Sequence, residues 1–383
     1  MSVTAAQGFR AAGVAAGIKS SGAPDVALVV NDGPADTAAA VFTSNRVKAA
    51  PVLWSEQVIK DGRLRAVVLN SGGANACTGP DGFADTHRTA EHVAAALEFG
   101  AGDVAVCSTG LIGERLPMTK LLSGIDAAVA ALDNGGGAEA AEAIRTTDTK
   151  AKQTSVTHAG WTVGGMAKGA GMLAPGLATM LCVITTDAVA DAAVLDDALR
   201  TATRTTFDRV DSDGCMSTND TVLVLANGAS GVQPPAAELA EALTAVCADL
   251  ARQLVADAEG ATKEIAIEVT GAASEDDAVE VGRSIARNNL LKCALFGNDP
   301  NWGRVLAAIG TTRATFEPDE LDVAMNGVQI CRGGAAGEPR DRVDLTGRQV
   351  TITVNLNAGD HAATIWTNDL SHAYVEENSA YST

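Results

Sequence analysis

Seven short apolar runs set the tightest limit on how this chain can fold: Val26–Val30, Ala66–Leu69, Val104–Cys107, Leu181–Thr185, Thr221–Leu225, Ile265–Val269 and Val350–Val354. Each is too short for a helix of ordinary length and reads as a strand; the run from Met180 to Ile184 reads as a buried one. Between them lie alanine-rich stretches that predict helices over Ala84–Phe99, Leu116–Leu132, Glu139–Thr146, Asp191–Thr205 and Ala236–Ala258. The last two have apolar residues at three- and four-residue spacing and acids near their starts, as the helix dipole prefers. Strands alternating with helices imply an α/β or α+β protein. At 383 residues the chain can bury a large core and hold one to three domains. Aromatic residues are 3% and glycines number 39, so packing rests on Ala, Val and Leu between many tight turns.

Charge and motif content narrow the function. A net charge of −19 argues against nucleic acid, whose phosphates demand a basic surface, and favours a cationic small molecule. The seven cysteines are odd in number and form no C-x-x-C pair, so they read as reduced core residues of a cytoplasmic protein. The opening MSVTAAQGFRAAG has no apolar signal core, and no stretch approaches ~18 apolar residues, so no membrane partner is expected. Five histidines (87, 92, 158, 361 and 372) form no H-E-x-x-H, and there is no G-x-S-x-G elbow. Dinucleotide and Walker fingerprints are absent too, and neither a metal nor a cofactor is expected. The acids Asp208, Asp211, Asp213 and Asp220 lack calcium-loop spacing and read as a polar turn. Gly135-Gly136-Gly137 reads as a flexible loop.

The chemistry concentrates in residues 161–187, WTVGGMAKGAGMLAPGLATMLCVITTD. Thr179 follows the small residue Ala178, after a glycine-rich loop and before an apolar run. A threonine so placed can attack the carbonyl of the residue before it, break that bond through an ester, and emerge as a new N-terminus. Its freed amine can then act as base for its own hydroxyl. A second constellation, Ser108-Thr109-Gly110-Leu111-Ile112-Gly113, follows the strand candidate at 104–107. Acyl transfer needs donors aimed at an oxygen that turns negative, and a hydroxyl with a backbone N–H from a glycine turn can supply them. Taken alone, each segment also reads as a plain turn.

Both segments resemble the ornithine acetyltransferase family, whose motif K-G-x-G-M-x-x-P-x-x-A-T-M-L is met by Lys168, Gly169, Gly171, Met172, Pro175, Ala178, Thr179, Met180 and Leu181. The likeness extends through Val41–Asn45, Asn70–Gly72, Thr146–Thr149, Ser217–Thr221, Glu259–Lys263 and Asp299–Arg304. Two departures are visible: Gly73 stands where an asparagine is common, and the 149–152 stretch lacks a usual proline. The resemblance implies cleavage between Ala178 and Thr179, with Thr179 as nucleophile and Thr109 and Gly110 as the oxyanion hole. It implies a substrate pocket drawing on Thr146, Thr147, Lys168, Thr179, Glu259, Asn378 and Thr383. Glu259 suits an ammonium group and Lys168 a carboxylate. The implied fold is an α/β sandwich like the N-terminal-nucleophile hydrolases with different connectivity. Segments 1–178 and 179–383 would be interwoven in it and assembled as an α2β2 heterotetramer. The implied activity is ping-pong transfer of acetyl from N-acetylornithine to glutamate, with acetyl-CoA open as a second donor. An N-terminal-threonine amidohydrolase or aminopeptidase of related fold is the rival.

Overall fold

The computed structural model describes residues 2–174 and 180–380. Its first half runs β1 (Phe9–Val14), β2 (Val26–Asn31), β3 (Thr37–Phe42), α1 (Ala50–Val58), β4 (Ala66–Asn70) and α2 (Gly79–Leu97). There follow β5 (Val104–Ser108), α3 (Met118–Ala130), α4 (Gly137–Ala143), β6 (Lys152–His158) and β7 (Trp161–Lys168). The second half opens with β8 (Leu181–Thr186), α5 (Ala192–Thr205), β9 (Thr221–Ala226), α6 (Ala236–Ala256) and β10 (Glu264–Ala272). It continues through α7 (Glu275–Ala286), α8 (Asn289–Phe296), α9 (Trp302–Ile309), β11 (Asp322–Met325), β12 (Val328–Arg332) and β13 (Ala335–Ala336). Last come β14 (Gln349–Asn355), β15 (His361–Asn368) and α10 (His372–Ala380).

The strands form three sheets, ordered β1-β2-β4-β5, β3-β9-β8-β7-β6 and β13-β12-β11-β14-β10-β15. The first two pack face to face. In β2, Ala27 and Val29 point into the core between those sheets, while Val26, Leu28 and Val30 face α2 and α3 on the outside. In β8, Leu181 and Val183 join the same inter-sheet core, while Cys182 and Ile184 face α5 and α6. The layers therefore run helix, sheet, sheet, helix. This is why the sequence shows unbroken apolar runs: period-two alternation puts successive side chains on opposite faces, and both faces are buried. The third sheet carries its own core with α7, α8 and α9.

All seven apolar runs are strands, extended by a residue or more in every case. The helix expected from Ala84 begins earlier, at Gly79, because Pro80 is tolerated in a first turn. The reading of Gly135–Gly137 as a flexible loop is corrected: α4 lies flush on β1 there. A Cβ on Gly136 would stand 2.0 Å from the Ala11 carbonyl oxygen, and one on Gly13 would stand 1.9 Å from that of Glu139. The reading of the cysteines as core residues changes in part. Cys107, Cys182, Cys247 and Cys331 are buried, but Cys77, Cys215 and Cys293 are exposed. The tail segment that carries Asn378 is helical as far as Ala380.

Candidate active site

Two sheet edges meet at the site. In the second sheet Lys168 pairs with Leu181, Leu181 with Thr221, and Thr221 with Phe42. The ends of β3 and β7 and the starts of β8 and β9 thus share one row. In the first sheet the parallel strands β4 and β5 end together at Asn70 and Ser108. Asn219 joins the two edges: its Nδ2 donates to the carbonyls of Ala74 at 2.7 Å and Ser108 at 2.8 Å.

A cavity of about 60 Å³ opens at this junction, lined by Thr109, Gly110, Thr146, Thr147, Lys168, Gly171, Met172, Glu259 and Asn378. Seven of the residues expected from the sequence are therefore together, although they come from segments far apart in the chain. Ala178, Thr179 and Thr383 lie outside the described residues. Met180, the residue after Thr179, is buried and donates its amide to Asp220 Oδ1 at 2.9 Å.

Thr109 and Gly110 carry unspent donors. Lys168 Nζ donates to Thr109 Oγ1 at 3.2 Å, so the hydroxyl acts as acceptor in that bond. Its own proton goes to no acceptor among the described residues, and the same holds for the Gly110 N–H. Glycine is required at 110 twice over. Its φ is +128°, and a Cβ would stand 2.7 Å from the Gly73 nitrogen. Gly73 in turn donates its amide to the Thr109 carbonyl at 3.0 Å, so the departure at 73 is part of this turn. Lys168 is buried, and burial pushes its ammonium below the usual lysine range. Lys152 pushes the same way, while Asp148, Asp220 and Glu259 pull back. An ammonium has three donors, so one bond to Thr109 leaves others for a carboxylate.

Glu259 forms the opposite wall. Its Oε1 accepts from the Thr147 hydroxyl at 2.7 Å and its Oε2 from Asn378 Nδ2 at 2.9 Å. Asn378 arrives on α10, which has no buried residue of its own. The glycine-rich loop is fitted against this wall: Glu259 N donates to the Ala170 carbonyl at 3.0 Å, and a Cβ on Gly171 would stand 2.6 Å from Glu259 Oε2.

Two buried carboxylates that sequence reasoning passed over hold the site in shape. Asp148 accepts from Lys152 Nζ at 2.7 Å, Gly169 N at 2.6 Å and Thr146 N at 3.0 Å. Burial alone would push its carboxyl up, but Lys168, Lys152 and the Gly169 amide together hold it below the ordinary range. Asp148 and Lys152 stand four apart in the stretch that lacks the family proline, a spacing that could have suggested the pair. The second is Asp220. The expected polar turn is corrected here: Asp211 and Asp220 are 1% and 0% exposed, each bonded to a different element. Burial pushes the Asp220 carboxyl well above its usual value despite the Met180 amide and Lys168.

Among the described residues no group of three or more His, Cys, Asp or Glu could hold a metal ion, and no helix is long and apolar enough to cross a membrane. A larger cleft, of about 690 Å³, lies elsewhere and includes Arg200, Arg204, Arg209 and Arg287. These guanidiniums are already paired with Asp196, Glu275 and Asp211. Size therefore does not mark the site; convergent unspent donors do.

Residues 10–383 match the model of the ArgJ family. The chain is 71% identical to the arginine biosynthesis bifunctional protein ArgJ of Streptomyces avermitilis, covering 100% of both chains. It is 62% identical to the protein of the same name from Mycobacterium tuberculosis strain H37Rv, covering 99% of this chain and 96% of that one. A crystal structure of ornithine acetyltransferase complexed with ornithine, from Mycobacterium tuberculosis, is 65% identical over 47% of this chain and 96% of that chain, with a TM-score of 0.45.

Proposed function

The chain belongs to the ArgJ family, and from that premise we propose that this enzyme of arginine biosynthesis carries acetyl from N-acetylornithine to glutamate through a threonine ester. Thr179 first opens the bond to Ala178, and water hydrolyses the resulting ester. The new terminal amine has a reference pKa of about 7.7–8.0, so a useful fraction is neutral near pH 7. That amine takes the proton of the Thr179 hydroxyl, directly or through water, and Oγ attacks the acetyl carbonyl carbon. The carbonyl oxygen becomes negative and accepts from the Thr109 hydroxyl and the Gly110 N–H. Lys168 assists by donating to Thr109 Oγ1, which polarises that hydroxyl toward the oxyanion. The Thr179 ammonium returns the proton it took to the departing nitrogen as the C–N bond breaks, and ornithine leaves with its side-chain ammonium held by Glu259. The amine of glutamate then attacks the acetyl-threonine ester, and Thr179 Oγ leaves as the hydroxyl by taking up the amine's proton. Segments 1–178 and 179–383 remain in one fold, and two such pairs form an α2β2 assembly in the cytoplasm.

The observation that carries this reading is the pair of uncommitted donors on Thr109 and Gly110, in one cavity with Lys168 and Glu259. Intact-mass measurement of the purified protein tests it. Two fragments meeting at 178/179 are expected, and Thr179→Ala should give one uncut chain without transferase activity. A single full-length species that turns over would end the proposal. Acetate released at the same rate with and without glutamate would favour a hydrolase instead. Rates with N-acetylornithine and with acetyl-CoA decide whether the second donor is used.

A further inference from the structure

Asp220 sits where the acyl-transfer steps above have no use for it. It is wholly buried at the foot of β9, and its Oδ1 accepts the Met180 N–H at 2.9 Å. Met180 N is bonded to the Thr179 carbonyl carbon, so the carboxyl is fixed one peptide unit beyond the bond between residues 178 and 179. The other oxygen, Oδ2, is buried and has no hydrogen-bond partner among the described residues. Two hydroxyls stand nearby without closing a bond to Oδ2: Thr43 donates to the Ser217 carbonyl at 2.7 Å, and Ser217 Oγ accepts from Asn219 N at 3.0 Å and keeps its own proton. Nor is the carboxyl free to swing away. Its own carbonyl accepts the Thr43 amide at 2.9 Å, and the preceding residue, Asn219, is tied to Ala74 and Ser108. Holding Met180 needs one acceptor, which an asparagine of the same shape supplies equally well. A second, orphaned carboxylate oxygen in a native interior calls for a further explanation.

We propose that Asp220 is the acid that protonates the departing Thr179 nitrogen when the chain cuts itself, an inference that rests on the self-cleavage reading. The Thr179 Oγ–C bond to Ala178 forms, the C–N bond breaks, and the nitrogen takes a proton from Asp220. The hydroxyl's proton returns to the carboxylate, so Asp220 ends as it began. Water then hydrolyses the ester to the Ala178 carboxylate and the Thr179 hydroxyl. An acid able to do this must hold its proton near neutrality. Burial favours that, outweighing the Met180 amide, then Lys168, the charged group that faces Asp220 from β7, and then the hydroxyls of Ser217 and Thr43.

The test follows freshly synthesised full-length chain in a cell-free reaction, reading the uncut fraction by intact mass over time and across pH. Asp220→Asn keeps the volume and the acceptor for Met180 and removes the proton. Cutting should slow by about 10²-fold or more, the usual worth of general acid catalysis. The wild-type rate should fall as pH rises through the carboxyl's titration, and the variant should lack that limb, which a purely structural role would not remove. Wild-type chain that cuts while Asp220→Asn cuts equally fast overturns the role of Asp220 alone. Wild-type chain that never cuts overturns the self-cleavage reading beneath it. Should the variant fail to fold, the wild-type profile decides: a rate that does not fall with rising pH rules the acid out.

Discussion

Thr109 shows how much of a site can depend on one hydroxyl. Any small residue could follow β5, but only one with a hydroxyl can accept from Lys168 and still offer a proton to the cavity. Thr109→Val keeps the shape and removes the donor. It should lower kcat by roughly 10²–10³-fold, or ~2.7–4 kcal/mol of barrier, while KM changes little. Steady-state kinetics with N-acetylornithine and glutamate check this, and an unaltered kcat would remove Thr109 from the oxyanion hole. Thr109 and Gly110 were legible in the sequence because a strand, a hydroxyl and a glycine turn came in order. Asp148 and Asp220 were not. An aspartate in a polar stretch looks like a solvated turn, and only the fold shows that its surroundings are dry.

Elements dock through similar buried groups, and one of them makes stability depend on pH. Asp211 joins the third sheet to the second half of the sandwich: its amide donates to the Trp366 carbonyl of β15 at 2.8 Å, and its Oδ2 accepts from Arg287, beside the end of α7, at 2.7 Å. Its Oδ1 is buried and has no partner among the described residues. Burial pushes the carboxyl up to about 6 from an ordinary 3.8, despite Arg287. Between those values the native state holds a proton that the unfolded state has released, so this group's contribution to stability falls as pH rises. The loss is complete above the folded value and amounts to about 3 kcal/mol at most. Asp211→Asn removes it. The variant should therefore gain in melting temperature relative to wild type between pH 4 and pH 7. An equal difference at both pH values would refute the assignment.

At the scale of the molecule, the second sheet takes β3, β6 and β7 from residues before 178 and β8 and β9 from residues after it. The row from Phe42 through Thr221 and Leu181 to Lys168 crosses between the two segments twice. If the chain is cut at 178/179, the fragments share a sheet, a core and the Asn219 bonds. They should co-elute on size-exclusion chromatography in native buffer and separate only in denaturant. Fragments that part in native buffer would contradict an interwoven fold.

The class of fold and seven of the fifteen described strands could be read from the chain alone, because a strand buried on both faces is apolar along nearly its whole length, whatever its partners. The sequence also marked Thr109, Gly110, Lys168 and Glu259 through motif resemblance. It did not reveal β6 and β7, whose polar residues and paired glycines hide the period. Gly164 is there because a Cβ would stand 2.1 Å from the Ser2 carbonyl oxygen, a contact spanning 162 residues of chain. Which aspartates are buried, which donors remain unspent, and that Asn219 joins two sheet edges emerge only on folding. Those properties belong to neighbours that are remote in sequence, and burial and hydrogen-bond partners exist only once the layers have packed.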